Sequence, residues 1–375
     1  MNNKNYDYLI VGSGLFGAVF AHQAKNAGKR CLVIDKRTHQ GGNIYCDNQD
    51  GINVHMYGAH IFHTSNEEVW NFVNRFVKFN NYINSPLAYY KGDIYNLPFN
   101  MNTFNKLWGV ITPQEALAKL AEEQAIYDYI KEPQNLEEHV LKLCGKQFYE
   151  TLIKGYTEKQ WGCKATELPA SIIKRLPFRY VYNNNYFNDL YQGIPIGGFN
   201  PLIDALLDGV EVKLNTNYFD NRTYFDNIAH KTIFTGCIDE YFNYEFGKLD
   251  YRSLLFEHKR LDMEDYQGNA VVNYTEYEIP YTRIIEHKHF EFGKQPFTII
   301  THEYPQKLGE GQEPFYPINS EANNTVLAKY QVKAAKMDNI IFGGRLGSYK
   351  YADMDTIIAD SLKLAKSELA TESIS

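Results

Sequence analysis

Residues 6–36 contain the pattern that most constrains the fold: an apolar strand, a glycine-rich turn, a helix and a second apolar strand. Gly12, Gly14 and Gly17 form the turn as G-x-G-x-x-G, and Asp35 follows the second strand. The first glycine permits the tight turn, the second admits a pyrophosphate to the backbone, and the third allows close helix–strand packing. The free N–H groups and positive dipole end of the helix favour that anion. The unit therefore predicts a dinucleotide site in which Asp35 accepts a hydrogen bond from a ribose hydroxyl.

Composition excludes several classes of protein. A chain of 375 residues, 44% of them apolar and 22% charged, is expected to form two or three soluble domains. The net charge of −7 argues against nucleic-acid binding, which needs a basic surface. No apolar run approaches the roughly 20 residues that span a bilayer, and the N-terminus enters the first strand too soon for a signal peptide. Five scattered cysteines without a CxxC pair predict a reduced, cytoplasmic protein with no zinc site.

The order of patterns along the chain predicts an α/β protein with a discontinuous nucleotide-binding domain. Residues 112 to 160 have helical patterns, whereas residues 251–304 alternate as in an antiparallel sheet. A strand, glycines and a helix return near the C-terminus as NIIFGGRLG and KYADMDTIIADSLKLA. The expected domains are a Rossmann-like nucleotide-binding domain (1–85, 190–245 and 325–375), a helical-bundle insert (100–165), and an antiparallel β-sheet domain (86–99, 166–189 and 246–324).

Shorter signals predict where individual elements begin and turn. Ser65 and Glu68 are expected to form a capping box. Residues 86–98 are expected to form a hairpin that turns at Lys91-Gly92-Asp93. Thr112 is expected to cap a helix that starts with proline.

The histidines are not expected to bind metal. His60 and His63 lie three residues apart, but no carboxylate or cysteine with ligand spacing accompanies them, so no metal site is predicted. His287 and His289 lie two residues apart and are expected to share one face of a strand as ordinary strand histidines.

Several longer motifs together resemble the UDP-galactopyranose mutase family, and they extend over nearly the whole chain. The most specific are KGYTEKQWG at 154–162 and PYTRIIEHKHF at 280–290; others are YGAHIFHT at 57–64, LPASIIKRLPFR at 168–179 and FGGRLGSYKYADMD at 342–355. The resemblance implies FAD, active when reduced, as the cofactor of the nucleotide-binding domain. It implies a non-redox interconversion of UDP-galactopyranose and UDP-galactofuranose. In that reaction N5 of the reduced flavin bonds to sugar C1 and displaces UDP.

The resemblance also implies the residues of the site. Arg175 and Arg283 are expected to be catalytic by holding the diphosphate, Arg175 from a mobile loop near 165–180, and His60 by hydrogen bonding near flavin N5. The implied substrate contacts are Asn84, Leu152, Tyr156, Thr157, Trp161, Arg175, Tyr186, Asn273, Arg283, Tyr316 and Tyr351. The implied cofactor contacts are Gly12, Gly14, Phe16, Gly17, Asp35, Lys36, Gly42, Asn43, His60, Ile61, Phe219, Gly344, Arg345, Ala352, Asp353, Met354, Asp355, Thr356 and Ile357. A helix beginning near Asp353 would direct its positive end at the flavin.

Three functions are compared. The first is a mutase that supplies galactofuranose for surface glycans, and the second is an FAD-dependent oxidoreductase resembling the amine oxidases. The third is a flavin-free sugar-nucleotide dehydrogenase or binding protein that uses the glycine motif for NAD. The expected partners of the mutase are UDP-galactose in both ring forms, an external reductant such as NAD(P)H, and a second copy in a homodimer.

Overall fold

The computed structural model describes residues 4–173 and 176–371. Its strands are β1 (Tyr6–Val11), β2 (Cys31–Ile34), β3 (Cys46–Gln49), β4 (Ile52–His55), β5 (Phe62–Thr64), β6 (Leu87–Tyr90), β7 (Asp93–Asn96), β8 (Tyr191–Gly193), β9 (Glu211–Lys213), β10 (Ala229–Phe234), β11 (Tyr251–Leu261), β12 (Val271–Tyr274), β13 (Arg283–Glu286), β14 (Thr298–Lys307), β15 (Tyr316–Pro317) and β16 (Ile340–Phe342). Its helices are α1 (Leu15–Asn26), α2 (Glu67–Val73), α3 (Met101–Trp108), α4 (Pro113–Ala125), α5 (Leu136–Phe148), α6 (Lys154–Trp161), α7 (Asn200–Leu207), α8 (Arg222–Ile228), α9 (Ile238–Tyr241), α10 (Glu321–Ala334), α11 (Gly344–Gly347) and α12 (Met354–Thr371).

A five-stranded parallel sheet has the order β16-β10-β1-β2-β9. Residues Tyr8, Leu9 and Ile10 of its central strand β1 have no exposed surface. Such a continuous apolar run is expected in a parallel sheet that is covered on both faces. One apolar core joins this sheet to α1, α7 and α12, and a second core on the other face joins it to α8 and α9. The mixed α/β class with a Rossmann-like nucleotide-binding domain is therefore confirmed. Strands β10 and β16 join this sheet from much later in the chain.

A second, seven-stranded sheet has the order β15-β11-β14-β13-β12-β6-β7. Neighbouring strands are antiparallel except for β12 and β6, which are parallel. Helices α3 to α6 form an apolar core with this sheet at the β6–β7 edge. The sheet thus brings the strands after residue 250 beside a hairpin that lies much earlier in the chain.

The local signals gave two correct predictions and two wrong ones. The hairpin β6–β7 turns at Lys91 and Gly92, and Thr112 forms a capping box with Glu115 at the start of α4. The capping box predicted for Ser65 and Glu68 is wrong. The N-cap of α2 is Asn66, whose Oδ1 accepts a hydrogen bond from the Val69 amide at 3.2 Å.

The prediction for His287 and His289 is also wrong. The strand β13 ends at Glu286, and the chain continues as a 3₁₀ turn, His287–Glu291. His287 is consequently buried, whereas His289 approaches the Asp265 carboxylate with its Nε2 at 3.3 Å.

No helix in the ranges 4–173 and 176–371 has the length and apolar character needed to cross a membrane.

The close approach of α1 to the glycine turn gives a first prediction. A Cβ at Gly17 would lie 2.1 Å from the Gly12 carbonyl oxygen and 3.0 Å from Ile10 Cγ2. Since the turn and β1 would both have to shift, Gly17→Ala should lower the free energy of unfolding of the apo protein by about 1–3 kcal/mol in urea denaturation. The control is Gly14→Ala, whose Cβ would meet only Gly42 Cα at 3.8 Å, and its effect should stay within about 1 kcal/mol. Equal losses in the two variants would contradict this explanation.

Candidate functional site

Two cavities meet at Asn43, which lines both of them. The first, called the cleft, has a volume of about 540 Å³ and lies between residues 57–61, helix α6 and strands β12 to β14. The second, called the groove, has a volume of about 1180 Å³ and runs along the glycine turn and the ends of β2 and β10. The cleft and the groove therefore adjoin at this residue.

The groove has the features of a dinucleotide site. Gly14 is the N-cap of α1 and no side chain caps this helix, so its first amides remain available to a phosphate. Asp35 is buried, and its Oδ2 accepts hydrogen bonds from the Ser13 amide at 2.8 Å and hydroxyl at 2.6 Å. The Arg37 amide donates to Asp35 Oδ1 at 3.0 Å. These contacts fix the carboxylate beside the turn, where the sequence predicted a ribose contact.

His60 lines the cleft in a defined protonation state. Its Nδ1 lies 2.8 Å from the Gly58 carbonyl oxygen, and because a carbonyl can only accept, Nδ1 carries the proton. Burial, and then the charge of Arg345, lowers the pKa of His60 to about 4. The ring is therefore neutral at working pH, and its Nε2 is a hydrogen-bond acceptor.

Arg283 is the cationic centre of the cleft. Its Nε lies 3.2 Å from Glu303 Oε1, and an Nη2 hydrogen is donated to the Tyr156 hydroxyl at 3.2 Å. The side chain of Arg283 is 26% exposed, whereas that of Glu303 is 4% exposed. Burial alone would lower the pKa of Arg283, but the Glu303 carboxylate raises it above its usual value. The guanidinium stays charged and is held in place from two sides.

Aromatic and amide side chains complete the cleft wall. The rings of Tyr316 and Tyr351 lie 5.8 Å apart, and the Arg345 guanidinium lies 4.8 Å from the centre of the Tyr351 ring. Asn84 is buried, and no described residue donates a hydrogen bond to its Oδ1. A buried acceptor without a partner at a cavity wall fits a polar ligand group.

Most of the substrate contacts implied by the sequence lie on one cavity wall. The cleft is lined by Asn84, Leu152, Tyr156, Tyr186, Asn273, Arg283, Tyr316 and Tyr351, together with Asn43, His60, Ile61, Arg345, Asp353 and Met354. Trp161 lines the groove instead, and the buried Thr157 lines neither cavity. Arg175 lies outside the described residues.

Some of the implied cofactor contacts line a cavity, and others line neither of the two cavities. The groove is lined by Gly12, Gly14, Asp35, Lys36, Gly42, Asn43 and Phe219. Neither cavity is lined by Phe16, Gly17, Gly344, Ala352, Asp355, Thr356 or Ile357. Asp355 accepts a hydrogen bond from the Thr64 hydroxyl at 2.9 Å, which ties the start of α12 to β5.

Sequence reasoning missed Glu303 and Arg179. Glu303 lies opposite Arg283 in the β13–β14 register, so its role depends on strand pairing. Its only sequence signal is an acid within the apolar pattern FTIITHEYP. Arg179 lines the cleft and donates to the carbonyl oxygens of Asn185 at 2.6 Å and Tyr186 at 2.7 Å.

Among residues 4–173 and 176–371, one group of side chains has the spacing of metal ligands, namely Asp265, Glu286 and His289. Its members already have protein partners. The carboxylate of Glu286 accepts from the amides of Tyr266 and Gln267, both at 2.9 Å, and lies 3.3 Å from His289 Nε2. The group lines neither the cleft nor the groove and explains how the loop before β12 is held.

The fold and these cavities define a protein with a Rossmann-like nucleotide-binding domain. A family model described as "GLF: UDP-galactopyranose mutase" matches residues 151–351, and one described as an NAD(P)-binding Rossmann-like domain matches residues 10–76. The chain belongs to the UDP-galactopyranose mutase family, whose members are isomerases.

Relatives of similar length support this assignment. The chain is 42% identical to a "Probable UDP-galactopyranose mutase" of Klebsiella pneumoniae, with 99% of this chain and 96% of the relative covered. It is 39% identical to a dTDP-fucopyranose mutase of Escherichia coli, with coverage of 96% and 97%. It is 34% identical to a UDP-galactopyranose mutase of Mycoplasma genitalium, with coverage of 99% and 96%.

The fold is similar to that of a solved structure of reduced UDP-galactopyranose mutase. The TM-score is 0.74 at 14% identity, with 98% of this chain and 96% of the other chain covered. A putative protoporphyrinogen oxidase from Exiguobacterium shares the fold with a TM-score of 0.64 at 11% identity.

The neutral histidines beside the cleft predict a pH dependence of stability. Burial lowers the pKa of His55 to about 3, that of His60 to about 4 and that of His287 well below 6.5. In the unfolded chain these groups take up protons below pH 6.5, so the stability they provide is present above that pH and declines towards pH 4. The free energy of unfolding should fall between pH 7 and pH 5 by on the order of 2 kcal/mol per histidine at most.

Urea denaturation at several pH values measures this dependence. His60→Gln should remove the contribution of one histidine and so reduce the slope of the free energy of unfolding against pH. A wild-type stability that does not change between pH 7 and pH 5 would show that these rings are not held neutral.

Proposed function

We propose that this protein is a UDP-galactopyranose mutase that uses reduced FAD and supplies galactofuranose for surface glycans. The observation that carries the proposal is the charged, immobilised guanidinium of Arg283 in an aromatic cleft that adjoins a dinucleotide groove. A guanidinium offers a planar set of donors that matches phosphate oxygens. The groove accounts for a dinucleotide cofactor, and the cleft accounts for a second, anionic ligand beside it.

The residues present fit FAD. In the proposal, Gly12, Gly14 and the α1 amides hold the pyrophosphate, and Asp35 holds the adenosine ribose. The flavin end is held where the groove meets the cleft, by Asn43, His60, Ile61, Arg345 and the start of α12. When bound in reduced form, FAD would supply an electron-rich nitrogen as a nucleophile for the anomeric carbon of the sugar.

The chain itself binds and stabilises the leaving group. Cleavage of the bond between sugar C1 and the phosphate oxygen leaves the electron pair on UDP. The Arg283 guanidinium stabilises that charge and retains UDP until the ring-contracted sugar takes it back. We propose the same task for Arg175, on the basis of its place in LPASIIKRLPFR.

The remaining side chains position the two halves of the substrate. Tyr156, Tyr316 and Tyr351 offer flat apolar faces with polar tips to the nucleotide and sugar. Asn84 Oδ1 and Asn273 offer polar contacts, and His60 Nε2 is a neutral acceptor for a donor on the cofactor. For Trp161 we propose a contact at the groove side of the cleft, and for Thr157 a supporting role within α6. Leu152 and Tyr186 complete the wall.

The proposal also includes a cytoplasmic homodimer that an external reductant such as NAD(P)H primes. Family resemblance supports these three features. The identity of the nucleotide requires a direct comparison, because the dTDP-fucopyranose mutase of Escherichia coli is almost as similar to this chain as the Klebsiella protein. The assay therefore uses UDP-galactofuranose and dTDP-fucofuranose side by side.

The central assay follows the pyranose product by chromatography with the FAD-loaded enzyme. We expect conversion of UDP-galactofuranose after dithionite reduction, little conversion in the oxidised state, and no consumption of reductant per turnover. Preferred conversion of the dTDP sugar would replace the substrate in the proposal. Stoichiometric consumption of an electron donor or acceptor would instead support the amine-oxidase-like alternative, and a purified protein without flavin absorbance would support the NAD alternative.

Arg283→Ala should reduce kcat/KM by about 100-fold or more while FAD remains bound, because the cleft then lacks its fixed cation. Arg175→Ala is expected to have a similar effect. The matched control is Arg260→Ala, since Arg260 is an exposed arginine of β11 that pairs with Asp50 and lines neither cavity. Steady-state kinetics and flavin absorbance provide both readouts. Full activity of Arg283→Ala would refute the assigned role.

A further inference from the structure

A segment that we call the strap, residues 274–282, begins with the last residue of β12 and leads to the start of β13. It is flanked by two cleft residues, Asn273 before it and Arg283 after it. The position of the strap therefore determines where both side chains enter the cleft. The strap packs against α6, the helix that carries Tyr156.

All three hydrogen bonds that the Lys159 side chain of α6 donates go to carbonyl groups of the strap. Lys159 is 8% exposed, and its Nζ donates to the carbonyl oxygens of Tyr274 at 2.7 Å, Ile279 at 2.9 Å and Tyr281 at 2.8 Å. An ammonium group has three hydrogens to donate, so these three bonds use all of them. A buried cation with this set of acceptors fixes the strap at both ends of its turn.

Gly155 brings the same helix into backbone contact with the strap. A Cβ at this position would lie 2.3 Å from the Thr275 carbonyl oxygen and 2.7 Å from the Tyr277 amide nitrogen. The Thr275 hydroxyl also donates to the Thr151 carbonyl oxygen at 2.6 Å. The helix and the strap are thus joined one turn apart, at Gly155 and Lys159.

We propose that Lys159 is a positioning residue that sets the distance between Tyr156 and Arg283 and thereby forms the diphosphate site. Tyr156 lies three residues before Lys159, so the two side chains leave the helix as neighbours. The 3.2 Å hydrogen bond from Arg283 to the Tyr156 hydroxyl spans the same interface as the Lys159 bonds. A shift of the strap separates this pair and misplaces the guanidinium. The inference rests on the proposed function, because it assigns the aligned pair to a nucleotide diphosphate.

The chain contains a matched control in Lys288. This lysine is 4% exposed and donates to the carbonyl oxygens of Glu264 at 2.6 Å, Gln295 at 2.6 Å and Phe297 at 3.1 Å. None of these four residues lines the cleft or the groove. Replacing either lysine by methionine removes one buried ammonium and leaves three carbonyl groups without their donor.

The test measures binding of UDP alone to the FAD-loaded protein by calorimetry, together with steady-state kinetics on UDP-galactofuranose. Lys159→Met should raise the Kd of UDP about tenfold or more, with a similar rise in KM and a smaller change in kcat. Lys288→Met should lower thermal stability comparably but leave the Kd within about twofold of wild type. Gly155→Ala, which pushes the strap away from α6 one turn from Lys159, should reproduce the weaker UDP binding.

Each outcome decides the proposal. If Lys159→Met is destabilised but binds UDP as wild type does, Lys159 is merely structural and the proposal is overturned. If Lys159→Met does not fold, Gly155→Ala decides, with weakened UDP binding supporting the proposal and unchanged binding overturning it. If the wild-type protein itself does not bind UDP, the proposed function fails, and the positioning role fails with it.

Discussion

The structure of the cleft depends on the pairing of Arg283 with Glu303. Removing a guanidinium and a carboxylate from water costs several kcal/mol per ion, and close pairing with further hydrogen bonds is needed to offset that cost. Here the partners come from adjacent strands, β13 and β14, and the Tyr156 hydroxyl of α6 provides the additional contact. The ionic contact and this hydrogen bond together link two strands and a helix through the Arg283 side chain. One guanidinium N–H, on Nη2, is donated to Tyr156, whereas the Nε–H makes no hydrogen bond within the described residues, so the group can still present donors to an anion.

The part of the groove at the glycine turn has a different origin, because residues close together in the sequence form it. Gly12 adopts a φ of 105°, and the amides at the start of α1 have no capping side chain. Asp35 is fixed by the neighbouring turn rather than by a distant element. The groove and the cleft share Asn43, so the cavity that contains the glycine turn adjoins one assembled from distant strands. In the proposed function, this adjacency brings the sugar nucleotide beside the cofactor.

These two origins explain what could be predicted from the sequence. The βαβ unit, the β6–β7 hairpin and the α4 capping box depend on neighbouring residues, and their patterns were sufficient. The role of Glu303 could not be predicted from the sequence, because its position opposite Arg283 depends on the register of β13 against β14. Tyr156 and Trp161 lie five residues apart on one helix, so their side chains point in directions about 140° apart. They consequently line different cavities, although the motif that contains them suggested a common one.

The central claim is that this cleft retains a diphosphate while the sugar is detached from it. The most direct test uses UDP-galactopyranose labelled with oxygen-18 in the bridge between sugar C1 and the β-phosphate, followed by phosphorus NMR. With the reduced, FAD-loaded enzyme, the label should move from the bridging to the non-bridging positions of the β-phosphate, and it should stay in place with the oxidised enzyme. Interconversion of the two ring forms with the label fixed in the bridge would show that the sugar–phosphate bond never breaks, and would contradict the account.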